Sequence, residues 1–178
     1  MADSLEKRAQ ARALVTLQRN LDGVETVEGF VLAVGKELVL LHVVDDFHLD
    51  GYRIVPRDQV ERARHSAVER YRAAILRAEK VLGRIGIEGE IDLSDWNAAF
   101  KSLKGRGESV IVEDEREESE EFVIGRIERV NKKSAAIRGF DALGRWDSDT
   151  TRFKYVDVTS VTFGGEYVTT FTKYLLDS

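Results

Sequence analysis

The 178-residue sequence has no cysteine, only one proline and no long apolar run. Without cysteine the chain cannot form disulfides, cysteine zinc sites, iron–sulfur clusters or a thiol nucleophile, and this composition fits a reducing compartment. The longest apolar stretch, from Leu38 to Val44, is interrupted by His42 and is too short to cross a bilayer. We therefore expect a cytoplasmic protein without a membrane segment.

Positive charge is also in deficit. The sequence has 27 Lys and Arg residues against 32 Asp and Glu residues, which gives a net charge of −5. Proteins that bind duplex DNA depend on neutralising many phosphates, so this balance argues against a dedicated duplex binder. The hydrophobic fraction of 43% is ordinary for a globular core.

Motifs for catalysis and cofactor binding are missing as well. The sequence has no G-x-S-x-G elbow, no G-x-G-x-x-G fingerprint and no phosphate-binding GK[ST] motif. Its histidines, at positions 42, 48 and 65, lack metal-ligand spacing, and the carboxylates of residues 141–149 are typical of turns. We predict a protein that is not an enzyme and that has no cofactor and no metal site.

A shift of 96 residues brings two stretches of the chain into register. Gly29 then aligns with Gly125 and Val34 with Val130, within similar apolar patterns. Internal duplication explains this coincidence better than chance similarity. Each copy is predicted to contain a helix, five strands and a second helix, in a first domain at 1–83 and a second at 92–178. Glycines at 83, 86 and 89 indicate a linker over 84–91.

Five short, bent strands in about 55 residues bury one face and leave no exposed edge if they close into a small barrel. The predicted fold class is therefore mainly β with flanking helices (α+β), with two tandem five-stranded Sm-like or SH3-like barrels. A helix precedes and follows each barrel. The helix after the first barrel is predicted to begin at Ser66, where Ser66 and Glu69 match a capping box.

Several motifs carry a resemblance to a known group. They are Gly29–Val34 and Asp50-Gly51-Tyr52 in the first copy, and Ser109-Val110-Ile111 and Phe122–Ile127 in the second. The sequence resembles uncharacterised bacterial proteins with Sm-like small β-barrel domains, and the resemblance implies the fold but no established activity. In the wider Sm-like families an arginine-glycine pair binds RNA from a hairpin. Arg138-Gly139 instead ends a predicted strand, so that role is not carried over.

Two functional hypotheses follow. The first is a protein-interaction or assembly module whose exposed strand edges, before Pro56 and at 158–163, pair with a protein partner or a second copy. The alternative is binding of single-stranded RNA by the second barrel, since bases stack on aromatic rings while cations hold phosphates. The residues assigned to this second role are Arg138, Trp146, Arg152, Lys154 and Tyr155.

A structural interpretation of the same residues stays open. The sequence also places Arg53, Arg57, Arg126 and Arg129 on or beside strands, with Tyr52 and Phe153 nearby. Arginines on the outward side of alternating strands often pair with carboxylates and keep a protein soluble, while the aromatics fill the core. The acidic net charge favours this interpretation over RNA binding.

Overall fold

The computed structural model describes residues 2–116 and 121–176, which form ten strands and four helices. The strands are β1 (Leu14–Arg19), β2 (Val27–Val34), β3 (Leu38–Asp45), β4 (His48–Pro56), β5 (Val60–Arg64), β6 (Ser109–Asp114), β7 (Glu121–Val130), β8 (Ser134–Phe140), β9 (Trp146–Lys154) and β10 (Ser160–Phe163). The helices are α1 (Ala2–Gln10), α2 (Ala67–Ala78), α3 (Trp96–Arg106) and α4 (Glu166–Lys173).

Side-chain caps define where two of the helices begin. At α2 the Ser66 hydroxyl accepts a hydrogen bond from the Val68 N–H, and the Glu69 carboxylate accepts one from the Ser66 N–H, as the predicted capping box requires. At α3 the Asp95 carboxylate accepts a hydrogen bond from the Ala98 N–H. Since Asp95 caps α3, this helix begins at Trp96.

All ten strands belong to one antiparallel sheet with the order β5-β1-β2-β3-β4-β10-β6-β7-β8-β9. The first half of the chain supplies the first five strands of this order, and the second half supplies the other five. Within each half the last strand pairs with the first, so both halves have the same strand order. The halves join where β4 pairs with β10, with Ile54 opposite Val161.

The prediction of two closed five-stranded barrels is wrong, because the sheet is open and continuous. A closed barrel in the first half would need β4 to pair with β5. Instead, β4 uses its free edge on β10 of the second half. Hydrogen bonds between the halves thus satisfy edges that closure would have satisfied within each half. The outer edges of β5 and β9 end the sheet.

The register of the central hairpins follows the predicted 96-residue spacing. Gly29 pairs with Val43 in the first half, and Gly125 pairs with Gly139 in the second. The register shifts between Val31 and Ala33, and again between Ile127 and Arg129, which are the same positions after the shift of 96. The ladders therefore give a position-by-position correspondence between the two halves.

Each half encloses a core between its curved strands and the helix that precedes them. Leu5 of α1 packs with Val31, Leu41 and Val55 in the first half. Phe100 and Leu103 of α3 pack in the second half, and the same cluster includes Leu38, Leu40 and Ile54 of the first. One apolar core thus crosses the junction between the halves. Among the described residues, every helix is too short or too polar to cross a bilayer.

The segment predicted as a linker, residues 84–91, packs against the sheet. Ile85 and Ile91 are buried. The Tyr52 hydroxyl donates a hydrogen bond to the Gly86 carbonyl at 2.8 Å, and the Arg106 guanidinium donates one to the Glu88 carbonyl at 2.6 Å. These contacts hold the segment between α2 and α3 on the surface of the first half.

Candidate nucleic-acid interface

The outer face of β7, β8 and β9 brings together most of the predicted RNA-binding residues. Alternation along the strands turns Ile127, Ile137 and Phe153 into the core. The ladder partners that point the other way form rows across the sheet. Arg126 lies opposite Arg138, which lies opposite Thr150. Arg129 lies opposite Ala136, which lies opposite Arg152, and Lys154 follows opposite Ser134. We call these five cations, Arg126, Arg129, Arg138, Arg152 and Lys154, the basic face.

Trp146 lies at one end of the basic face. The guanidinium carbons of Arg126 and Arg138 are 5.3 Å and 5.7 Å from the centre of its ring. Cations at this distance are attracted to the electron-rich face of an indole. The Arg138 Nε also donates a hydrogen bond to the Asp147 carbonyl at 3.1 Å, which holds its guanidinium beside the ring.

The cations of the basic face are largely free of carboxylates. Arg126, Arg129, Arg152 and Lys154 are exposed and form no ion pair with any described carboxylate. Arg138 has only a long contact of 3.9 Å with Glu128. A Cβ added to Gly139 would overlap the Asp147 carboxylate, so that carboxylate lies on the opposite side of the sheet from Arg138. The outer side is therefore positively charged although the whole chain is acidic.

The corresponding face of the first half is apolar and covered. The ladder positions of Arg126, Arg138 and Arg152 are taken there by Phe30, His42 and Ile54, all of them buried. Phe30 packs with Leu76, Val81 and Ile85, while Ile54 packs in a cluster with Ile91, Leu93 and Trp96. The chain from α2 to α3 thus covers this face in the first half. In the second half the same face is open and basic.

Tyr155, the remaining predicted residue, does not lie on the basic face. Its ring stacks on Phe100 at 5.6 Å, and its hydroxyl donates a hydrogen bond to the Asn131 carbonyl at 2.8 Å. Burial raises the pKa of the Tyr155 hydroxyl above its usual range, against the opposing effect of the Asn97 hydrogen bond. Tyr155 lines a cleft of about 840 Å³ between turns of the two halves, beside Lys36, Arg57 and Lys132.

The candidate cations and aromatics of the first half serve structural contacts. The Arg57 guanidinium bonds Glu6 at 2.6 Å and the Gly35 carbonyl at 2.9 Å. Tyr52 stacks between His42 and Phe163, with ring centres 4.5 Å and 5.1 Å away. Burial in this stack lowers the pKa of His42. These residues fit the structural interpretation and lie outside the basic face.

The sequence reading missed one part of this surface. The sequence predicts a helix after the second barrel without assigning it a role, yet Tyr167 of α4 and Tyr174, the residue after α4, are exposed. The signal available in the sequence was the count of aromatics, which exceeds what a short helix can bury. Within residues 2–116 and 121–176, no three His, Asp or Glu side chains are arranged to hold a metal ion.

The chain was compared with protein-family models, curated proteins and solved structures. None of the three comparisons returns a match.

Proposed function

We propose that the protein is a single-stranded nucleic-acid-binding module, with RNA as the ligand class, and that it binds through the basic face. The observation that carries this proposal is the set of five outward cations with Trp146 on three neighbouring strands of the sheet. Cations hold phosphates, and the half-buried indole of Trp146 beside them offers a ring for contact with a base. Binding of this kind requires no catalytic group.

The geometry also sets the size of the electrostatic contribution. Successive rows of the face are two residues apart along a strand, which is about 7 Å. If each of the five cations neutralises one phosphate of a single strand, log K falls by about 3.5 for each tenfold rise in salt. Such a slope is measurable with short oligonucleotides.

The test is fluorescence anisotropy with labelled oligo-U and oligo-A of about twelve nucleotides, at several salt concentrations. The double variant Arg152→Gln/Lys154→Gln should bind more weakly, with a salt slope shallower by about 1.4. The matched control is Arg77→Gln/Lys80→Gln, which removes one Arg and one Lys from exposed positions on and beside α2. Equal binding by both double variants would remove the basic face from the site.

Stacking is tested separately. Trp146→Ala should weaken binding by about tenfold or more without changing the salt slope, because it removes a ring and no charge. Trp146→Phe keeps a ring beside Arg126 and Arg138 and should recover most of the affinity. If Trp146→Phe binds as poorly as Trp146→Ala while both fold normally, stacking is not what this position contributes.

Protein association through strand edges is the second candidate. The edges named from the sequence, before Pro56 and at 158–163, pair with each other inside the chain. The edges of β5 and β9 are left for a partner or a second copy. At the β4–β10 junction Gly51 lies so close to Gly165 that a side chain at position 51 would overlap the Gly165 backbone. In the second half, Asp149 of β9 occupies the position that corresponds to Gly51. A second copy could not reproduce this junction unchanged, which places assembly behind RNA binding.

Light scattering across a concentration series tests this second candidate. A mass that stays at that of one chain argues against assembly through β5 and β9. A mass that rises with concentration, and that falls again when Thr151 on β9 is replaced by proline, supports it.

A further inference from the structure

The helix α4 presents an aromatic surface to solvent. Tyr167 and Tyr174 are 65% and 77% exposed, and with Phe171, Glu166 and Thr170 they line a groove of about 420 Å³. Val168, on the opposite side of α4, is buried and holds the helix on the protein. Rings that are exposed yet held in place lose little conformational freedom when they bind a flat ligand.

Ring contacts connect this groove to the basic face through Phe140, whose ring is buried. The Trp146 ring contacts Phe140 edge-on at 5.7 Å, Phe140 stacks on Phe171 at 5.5 Å, and Phe171 contacts Tyr167 at 5.6 Å. Four touching rings therefore run from the guanidinium pair of Arg126 and Arg138 to the groove.

The chain beyond α4 is fastened to the same part of the sheet. The Leu176 N–H donates a hydrogen bond to the Gly144 carbonyl at 2.9 Å, in the turn between β8 and β9. Leu143 in that turn and Leu176 itself are both exposed, so the turn and the chain after α4 add exposed apolar side chains at this part of the sheet. Exposed apolar side chains that lie near one another mark a binding surface more often than isolated ones do.

Charge divides the two surfaces. The groove itself has one ionisable side chain other than tyrosine, Glu166, and the cations of the basic face lie on the sheet. The groove thus offers aromatic rings but no cation to bind a phosphate, whereas the sheet offers cations beside one half-buried ring, that of Trp146. Every base has a flat π face that stacks on tyrosine regardless of its sequence.

We propose that the α4 groove stacks unpaired bases of the same single strand whose phosphates lie on the basic face. This inference rests on the proposed function and adds to it that the ligand must be single-stranded and long enough to reach both surfaces. Paired bases are stacked inside a duplex and cannot enter the groove. The cations at the Trp146 end of this row favour this occupant over a protein segment, because a protein segment has no phosphates for them to bind.

The experiment uses the double variant Tyr167→Ala/Tyr174→Ala with oligo-U of about four and about twelve nucleotides. We expect affinity for the longer oligonucleotide to fall about tenfold or more, with the salt slope and the affinity for the shorter one unchanged. The control Tyr71→Ala, a 70% exposed tyrosine on α2, should bind as the unmodified protein does. Tyr167→Phe/Tyr174→Phe keeps both rings and should retain the affinity.

Two results separate the inference from the proposed function. If the alanine double variant binds the longer oligonucleotide as tightly as the unmodified protein, the groove does not stack bases and the inference is overturned, while salt-dependent binding by the basic face stands. If the unmodified protein binds neither oligonucleotide even at low salt, the proposed function fails and the inference fails with it.

Discussion

A buried ion pair between the two halves allows one stability prediction to be worked out in detail. The Arg19 side chain, at the end of β1, is only 1% exposed and binds both oxygens of Glu115 at 2.5 Å and 2.6 Å. It also donates a hydrogen bond to the Thr159 carbonyl at 3.2 Å, and the Thr159 hydroxyl donates one to Glu115 at 2.9 Å. First-half and second-half residues therefore share one polar network.

Glu115→Gln removes the negative charge and leaves the Arg19 guanidinium buried without a counter-ion. Breaking a buried pair in this way costs about 3–5 kcal/mol of unfolding free energy. The double variant Arg19→Met/Glu115→Gln buries no charge and should lose much less, about 1 kcal/mol. Since a domain is stabilised by only about 5–15 kcal/mol, the single variant should lose a large part of its stability.

Urea denaturation at neutral pH measures both variants. The control is Lys36→Gln, which breaks an exposed pair with Glu37, 3.5 Å apart and with side chains 80% and 55% exposed. An exposed pair of this kind is worth well under about 1 kcal/mol. If Glu115→Gln costs no more than Lys36→Gln, or if the double variant is less stable than the single one, the reasoning about this buried pair is wrong.

The same pair predicts a pH dependence. Burial alone would raise the pKa of Glu115, but the hydrogen bonds and charge of Arg19, with the Thr159 hydroxyl, outweigh it and lower the pKa. A carboxylate whose pKa is lowered by folding stabilises the native state above its ordinary value of 4.5, and this stabilisation is lost as the pH falls below that value. The stability difference between the unmodified protein and Glu115→Gln should therefore shrink on acidification.

Four further variants test the fold. Gly51→Ala should lower the free energy of unfolding by at least about 2 kcal/mol, because Gly51 has φ +67° and faces the Gly165 backbone across the junction. Its control is Gly83→Ala, which has open space around the added Cβ and should be close to neutral. Urea denaturation measures both variants. Leu40→Ala should cost about 2–5 kcal/mol, and calorimetry should still show a single transition, since its cluster contains residues of both halves. Glu69→Gln should cost about 1–3 kcal/mol by urea denaturation at neutral pH, because its buried carboxylate accepts three hydrogen bonds.

Much of the local structure was predictable from the sequence. The capping box at Ser66 forms as predicted, because its residues lie within one turn of each other. The hairpins β2–β3 and β7–β8 follow the predicted spacing, since alternation and a shared bulge set their register. Duplication of the chain stays a prediction, although the equal strand order of the halves agrees with it.

The fourth strand of the second half was harder to predict. Residues 144–149 look like a turn because they are rich in Gly, Asp and Ser, yet β9 begins at Trp146. An edge strand with one solvated side tolerates such residues. The ladders pair Ile54 with Leu40 and Arg152 with Ala136, and Leu40 and Ala136 are equivalent after the shift of 96. The correspondence is therefore between Ile54 and Arg152.

Four of the five predicted nucleic-acid-binding residues share one region of the surface. Arg138, Arg152 and Lys154 belong to the basic face with Trp146 at its end, while Tyr155 turns toward Phe100. The period of two along a strand predicts which residues share a side. It does not predict the turn after β9, where the alternation ends.

The sequence by itself determined most of the helices and strands, because these depend on neighbours within a few residues. Only the tertiary structure decided that β4 pairs with β10 rather than closing a barrel, since hydrogen bonding along a strand edge accepts any suitable edge that the chain brings near. It also decided that the segment from α2 to α3 covers the outer face of the first half and leaves that of the second open. Burial of a face depends on what packs over it, and the residues that do so are far away in the sequence.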